Sequence, residues 1–564
     1  MAHILLNQNR FGLQPKWSQF MADIHGAEDP HSFPLHVKPV PVIDLKRLSM
    51  LSSSLSTKER WHKVSKWITE EPLGVLKGRP YDANFTETEI KLMIAAEHIR
   101  PIEATDVKST VNMFTIPEFL KRRRRVIKHT KPFNDHYDKD TLLGIKLIRA
   151  KALSGTVHDG KFAIHLDFSA FFDQIELDEE LRSWFCFKCN GQWYSLCRLP
   201  MGMRQAVDVA QTVTDLLLDF DRPGSVRVDS YVDNVRFLGD DKEEVIECAA
   251  KLIERCHSVG VTINEVDASE DPVLAARRLL VKSGEFLGVE FDYETKRVRL
   301  GQKAIAKLSL LHNHAKSPGQ RITYRHFLSI FGLLFHAMHV LHIPGSNRYY
   351  ALREYSEVAR RLHKDPHLFD SAYRCPPARW RAITDWIEET LDNPWIEFPK
   401  GVAPNDADFI LVTDASGYGW GGLLLNAKTG ELLVRSGVWT KQECQRFEKS
   451  AWSEPEAISC ALKAFFPHGT RASISVLSDS STAVGAFAKG RSSKFYVNRA
   501  IESVHQPHTK WNISFHHIPG DQNPSDAISR GKELDLAEAT AQVLRLRDGL
   551  TQEDKRVPFS VVKN

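Results

Sequence analysis

Two stretches of strict apolar–polar alternation, each broken by an aspartate, constrain this chain more than any other feature. Residues 161–167 place Phe162, Ile164 and Leu166 on one face and His165 and Asp167 on the other, the period-two pattern of a half-buried strand. Residues 226–238 repeat it, with Val226, Val228 and Val232 before Asp233-Asn234 and Val235 and Phe237 after. Asp and Asn tolerate positive φ, so the pair predicts a tight hairpin turn. Two carboxylates converging on one sheet edge can hold two divalent cations, which activate an attacking hydroxyl and stabilise a leaving oxygen in phosphoryl transfer. Mg²⁺ suits such a site because it takes few protein ligands and completes its octahedron with water and phosphate oxygens. Taken alone, the two residues read more readily as exposed turn acids than as metal ligands.

Composition narrows the partners. A chain of 564 residues has room for roughly three to four domains. Lys plus Arg number 75 against 71 Asp plus Glu, a net charge of +4, so a hold on a polyanion must come from local basic clusters. The run Lys121–Lys128 is one. It reads as a solvated face or an import signal, and its β-branched residues put it on or beside a strand. Eight cysteines are too few for a disulfide scaffold. Cys186, Cys189 and Cys197 lack the fourth ligand of a structural zinc site, and 185–199 reads as a hairpin around Asn190-Gly191. The longest apolar stretch, Phe327–His342, contains three histidines and falls short of the ~20 apolar residues of a spanning helix. No membrane partner is expected. The first ten residues lack the pattern of a secretory signal, so the expectation is an intracellular protein with reduced thiols.

Residues 1–84 carry no recognisable chemistry. Helices are expected over 84–98, 245–259 and 324–342. A Pro- and Gly-bearing stretch at 394–407 reads as a linker. A second α/β block follows: a strand over 409–413, a Gly-rich hairpin at 417–422, a helix over 453–466, a strand over 474–477, a helix after Asp479 and a strand over 511–517. Asp414, Glu454, Asp479 and Asp526 come from two strands and two helices, the carboxylate count of a two-metal nuclease.

Five segments in order resemble reverse transcriptases. Asp167-Phe168-Ser169-Ala170-Phe171-Phe172 resembles their first catalytic motif, and Leu199-Pro200-Met201-Gly202, ending at Gln211, is similar to their Leu-Pro-x-Gly motif. Tyr231-Val232-Asp233-Asn234 resembles their Tyr-x-Asp-Asp hairpin with the last residue changed. Gly260–Asn264 and Phe286–Val289 resemble the two motifs that follow. The resemblance implies that Asp167 and Asp233 hold Mg²⁺ (or Mn²⁺ in its place). It makes Phe172 a steric gate against a ribose 2′-OH, lets the backbone at Gly202 approach nucleotide and template, and has Gln211 position the template. Arg124 matches the arginine that grips the triphosphate, a role suited to the forked guanidinium, with Lys121 as the weaker match. Asn234 cannot supply charge to a metal. Polymerases of negative-strand RNA viruses carry Gly-Asp-Asn there, which implies activity with weaker Mg²⁺ binding.

The second block resembles retroelement ribonuclease H domains over about 407–531. The carriers are Thr413-Asp414-Ala415-Ser416, Glu454-x-x-Ala457, Ser478-Asp479-Ser480 and Gly520-x-x-Asn523-x-x-Asp526-Ala527-x-Ser529-Arg530. Glu456 competes with Glu454, and the spacing to Ala457 and Ala461-Leu462 favours Glu454. His516 or His517 could match the family's loop histidine, or be a strand-edge residue. Phe327, Ile330, Phe331, Leu334 and Met338 form the apolar stripe of a thumb-like helix.

The expectation is a multidomain α+β and α/β chain. It comprises an N-terminal extension at 1–84, right-hand polymerase fingers and palm at 85–300, a thumb and connection at 301–400, a ribonuclease H-like domain at 405–535 and a tail at 536–564. It would copy RNA and then DNA from a DNA primer with dNTPs and degrade the RNA strand of the RNA/DNA hybrid. The setting would be cytoplasm, virus-like particles or nucleus. The motif endings resemble long-terminal-repeat and DIRS-like tyrosine-recombinase retrotransposons, and the Asn234 variant resembles the VIPER elements of trypanosomatids. The rivals are a catalytically impaired, domesticated nucleic-acid-binding protein and a chain with ribonuclease H activity alone.

Overall fold

Residues 161–167 and 226–238 fold as their alternation predicts. In the computed structural model, β3 (Phe162–Asp167) pairs with β7 (Asn234–Gly239), which pairs with β6 (Arg227–Tyr231), all antiparallel. The structure describes residues 32–72, 82–136, 145, 147–148, 150–316, 322–398, 406–446, 450–466, 471–504 and 511–550. They fall into two compact units. The first takes in Met1–Arg149, Asp159–Leu287 and Phe291–Thr295; the second takes in Ala150–His158, Gly288–Glu290 and Lys296–Asn564.

In the first unit the apolar face of the sheet, with Ile164, Leu166, Val235 and Phe237, is buried. Helices α4 (Ala206–Leu217) and α5 (Lys242–Val259) belong to the same core. The Asp241 side chain caps α5 by accepting from the Glu243 and Glu244 amides, and Gly260 ends it at φ +82°, the left-handed conformation only glycine adopts without strain. The basic run lies on β2 (Arg123–His129), paired antiparallel with β1 (Asn112–Glu118). Helix α3 (Glu87–Ala95) starts at a Thr86–Glu89 capping box, each side chain satisfying an orphan amide of the other. Cys186, Cys189 and Cys197 are buried in the hairpin of β4 (Cys186–Cys189) and β5 (Gln192–Leu196), with positive φ at Asn190 and Gly191. Among the described residues before 84, α1 (Leu45–Leu51) and α2 (Leu55–Thr69) send Leu48, Val64 and Ile68 into this core.

The second unit begins with helices α6 (Gln302–Lys316), α7 (Tyr324–Val340), α8 (Tyr349–Lys364) and α9 (Pro377–Asp392). The stripe of α7 is buried as its spacing predicts. A five-stranded sheet follows, built from β8 (Phe409–Ala415), β9 (Gly419–Asn426), β10 (Leu432–Val438), β11 (Ala472–Ser478) and β12 (Trp511–His517). Its order is β10-β9-β8-β11-β12, antiparallel over the first three strands and parallel from β8 onward. Helices α10 (Ser450–Phe465), α11 (Ser481–Lys489) and α12 (Phe495–Val504) complete this layer. Much of the linker read at 394–407 lies outside the described residues. Its start, Ile396–Glu397, pairs with residues 297–298. Among the described residues no helix is long and apolar enough to cross a membrane.

One boundary differs from the sequence reading. Residues 536–549 form helix α13 (Leu536–Gly549), capped by Asp535, and bury Ala539 and Val543 against Ile410, Val412 and Leu477. Leu536, Ala539, Val543 and Leu546 recur at three- and four-residue spacing, a helical period that the reading of 536–564 as a tail did not use. We expect a chain ending at residue 535 to melt several degrees below one ending at 550, because the apolar surface under α13 becomes solvated. Calorimetry of the two chains checks this.

Candidate active sites

The first site grows from the register of β3 against β7. Asp167 faces Asn234, and the Phe168 amide donates to the Asp233 carbonyl at 2.8 Å. The main chain therefore ties the two aspartates together at one end of the sheet. Burial first, and then the Asp167 charge, push the Asp233 carboxyl above its usual range. Asn234 donates from Nδ2 to Asp233 Oδ1 at 2.9 Å, and Asn264 donates to Asp167 Oδ2 at 2.7 Å. The Asp167 amide donates to Glu265 Oε2 at 3.2 Å, and Lys38 Nζ donates to Asn264 Oδ1 at 3.1 Å. Burial raises the Glu265 carboxyl as well, and the Asp167 charge adds to it. Asn264, Glu265 and Lys38 have no role in the motifs read from sequence. Only the segment containing Asn264 could have pointed to one of them.

The turn itself is strained. Val232 sits at φ +57°, a conformation that β-branched residues avoid. Its amide donates to Gln211 Oε1 at 2.7 Å, and its carbonyl accepts from the Thr214 hydroxyl. Helix α4 therefore holds the turn at both polar atoms.

The second site is drier. Asp414 ends β8, Glu454 lies on α10 and Asp479 follows β11. One carboxylate oxygen from each lies within 4.8 Å of the others. Asp414 is 3% exposed and Glu454 6%. Burial, with neighbouring carboxylates adding to it, pushes Asp414 up to about 6 and Glu454 up to about 8. Asn523 and Ser529 donate to the two Asp414 oxygens. Glu454 Oε2 is buried without a hydrogen-bond partner, a costly state for a carboxylate unless a cation or proton answers it. The donor set fits a hard divalent cation. Asp526 adds its charge to Asp414 but is paired with Arg530 at 2.8 Å, outside the group of three. Glu456 is surrounded by different charges, Lys463, Glu443 and Arg499. His517 bonds the Asp479 carbonyl at 3.0 Å, and His516 bonds Ser514.

Comparison with known proteins bears on the first site. Residues 112–267 match the family model described as reverse transcriptase (RNA-dependent DNA polymerase). They form a reverse transcriptase domain. The chain is 23% identical over 251 residues to the enzymatic polyproteins of cauliflower mosaic virus strains D/H and Strasbourg, covering 42% of this chain and 34% of each polyprotein. It thus spans about a third of the length of those relatives. Among solved structures it is similar to the foamy viral protease-reverse transcriptase dRH in complex with double-stranded DNA, at 14% identity and TM-score 0.47 over 87% of this chain and 84% of that one. The foamy viral protease-reverse transcriptase in complex with an RNA/DNA hybrid gives 14% identity and TM-score 0.45 over 87% of this chain and 65% of that one.

The reverse transcriptase domain brings together only some of the residues singled out by sequence. Asp167 and Asp233 meet. Phe172 is half-buried at the rim of the core, while Phe168 and Phe171 pack their rings 5.0 Å apart beneath it. A Cβ on Gly202 would stand 2.0 Å from the Lys128 carbonyl, so its glycine accommodates β2 of the same domain. Asn134 clips this segment by donating to the Gly202 carbonyl and accepting from the Arg204 amide, both at 2.8 Å. Arg124 stands apart from the two aspartates' hydrogen-bond network: it pairs with Glu89 and donates to the Phe33 carbonyl at 2.7 Å. Gln211 is buried and engages the Val232 turn.

Two predictions follow from these geometries. Gly202→Ala should cost roughly 1–3 kcal/mol of stability, read by denaturant unfolding, because backbone must move to admit the methyl. The second concerns pH. Asp414 and Glu454 have folded-state pKa values raised above their ordinary ones, so stability is full below the ordinary carboxyl range and is lost as pH rises through about 6 and then about 8. Without divalent cations, the melting temperature of the second unit should fall over that window. Mg²⁺ or Mn²⁺ should restore it more at high pH than at low, and Glu454→Gln should flatten its upper part.

Proposed function

We propose that this chain is an RNA-directed and DNA-directed DNA polymerase that also cleaves the RNA strand of RNA/DNA hybrids, replicating a retroelement of the long-terminal-repeat or DIRS-like kind. The observation that carries the polymerase half is the convergence of Asp167 and Asp233 at one sheet end. The carboxylate group of Asp414, Glu454 and Asp479 carries the nuclease half. The partners are an RNA template, a DNA primer, their hybrid and dNTPs.

Asp167 and Asp233 would hold Mg²⁺, or Mn²⁺ in its place, at the first site; Asp414, Glu454 and Asp479, with Asp526 beside them, would do so at the second. Cations bound there lower the pKa of the attacking hydroxyl or water and neutralise charge on the leaving oxygen. The remaining work is positioning, which dominates phosphoryl transfer. Asn234 orients the Asp233 carboxylate and Asn264 that of Asp167, so each presents a fixed oxygen. Gln211 and Thr214 keep the turn from relaxing. At the second site Asn523 and Ser529 hold Asp414 while Glu454 keeps a free oxygen. In the same unit, Arg353, Trp452, Thr482, Lys489, Lys494 and Tyr496 line a cavity of about 920 Å³. Its mixture of cations and rings suits the phosphates and sugars of a hybrid.

Primer extension on an RNA template, run beside cleavage of a labelled hybrid, tests both halves. Asp233→Ala should abolish extension and spare cleavage, and Asp479→Asn should do the reverse. Loss of both activities in the wild type would favour a nucleic-acid-binding scaffold, and cleavage alone would favour a nuclease. Asn234→Asp should preserve or raise extension at low Mg²⁺, since it adds charge beside Asp233. A fall in extension with unchanged folding would contradict that.

A further inference from the structure

The hairpin that carries Asp233 is held from beneath, and the contacts that hold it run outward to a helix before the reverse transcriptase domain. Gln211 presents Oε1 to the Val232 amide. A glutamine amide can turn over, exchanging acceptor for donor, and a turned amide would set two donors against each other at Val232. Two partners of Gln211 Nε2 oppose this: Asp215 Oδ1 at 3.0 Å, one turn along α4, and Ser230 Oγ at 3.0 Å. Ser230 is a weak guard, because a hydroxyl donates as readily as it accepts. An ionised Asp215 only accepts, so it enforces one orientation. The Asp215 carboxylate is part-buried, and the Arg60 guanidinium from α2 binds its other oxygen. Ser56, Glu59, Arg60 and Lys63 of α2 line one side of a polar cavity of about 490 Å³, and Gln211, Asp215 and Ser230 line the other.

We propose that Arg60 and Asp215 are positioning residues of the polymerase site: through Gln211 they lock the Val232 turn, and with it Asp233, from a helix that lies outside residues 112–267. This gives α2 a part in catalysis beyond packing. The inference rests on the polymerase reading, and its test is arranged so that the two can fail separately.

The test uses the full chain and four variants: Arg60→Met, Arg60→Lys, Asp215→Asn and Val64→Ala. Val64 is a fully buried residue of α2, so its truncation weakens packing of that helix without touching the lock. Amide hydrogen exchange at Val232 reads the lock without any activity. Arg60→Met and Asp215→Asn should speed that exchange about tenfold or more relative to amides of α5. They should lower kcat for single-nucleotide addition by about tenfold, leaving the dNTP KM and primer–template Kd within about twofold. Arg60→Lys should recover most of both effects. Val64→Ala should lower the melting temperature and leave both readouts near wild type. Wild-type exchange in Arg60→Met, or the same changes in Val64→Ala, would overturn the proposal. A wild-type chain that fails to extend primers defeats the polymerase reading, while the exchange comparison still decides whether the lock exists.

Discussion

Crowding of like charge at the end of a short sheet is the constraint on which the polymerase half depends. Asp167 and Asp233 would separate if their side chains alone decided the matter. The ladder between β3 and β7, extended by the Phe168-to-Asp233 main-chain bond, prevents it. The apolar face of the same strands is buried, and a one-residue slip in register would turn that face outward. Hydrophobic burial therefore supplies the free energy that keeps two carboxylates side by side. The cost shows in the raised Asp233 carboxyl and in a valine held at positive φ.

The second site meets the same problem with deeper burial. Asp414 and Glu454 are almost completely enclosed, and their carboxyls are pushed up to about 6 and about 8. Near neutral pH this group is poised between holding protons and holding a cation. The Asp167–Asp233 pair is more open and is braced by amide donors from Asn234 and Asn264.

Much of this was legible in the sequence because period-two and period-three-to-four patterns report which face of an element is buried. The alternation around Asp167 and Asp233 foretold both strands, but the turn falls one residue earlier than expected, on Val232-Asp233: the positive φ is at Val232 and Asn234 already belongs to β7. The choice of Glu454 over Glu456 matches where the two side chains lie: Glu454 joins the carboxylate group while Glu456 meets Lys463 and Arg499. Contacts between distant segments left no such trace. Nothing local to Arg124 reveals Glu89 as its partner, and nothing near residue 60 reveals Asp215. Asn264 and Glu265 reach Asp167 only because the loop after α5 folds back across 97 and 98 residues of chain. Helix α13 covers a face of the sheet formed by β8, β9 and β11, a contact between distant segments that its own sequence does not announce.

The most direct test of the central claim replaces the two carboxylates by thiols and asks whether they still share a cation. A chain carrying Asp167→Cys and Asp233→Cys should bind one Cd²⁺ beyond any taken up by wild type, far more tightly than either single variant, with the ultraviolet absorption of two thiolates on one metal. A double variant that binds Cd²⁺ no better than the single ones would show that the two side chains do not meet.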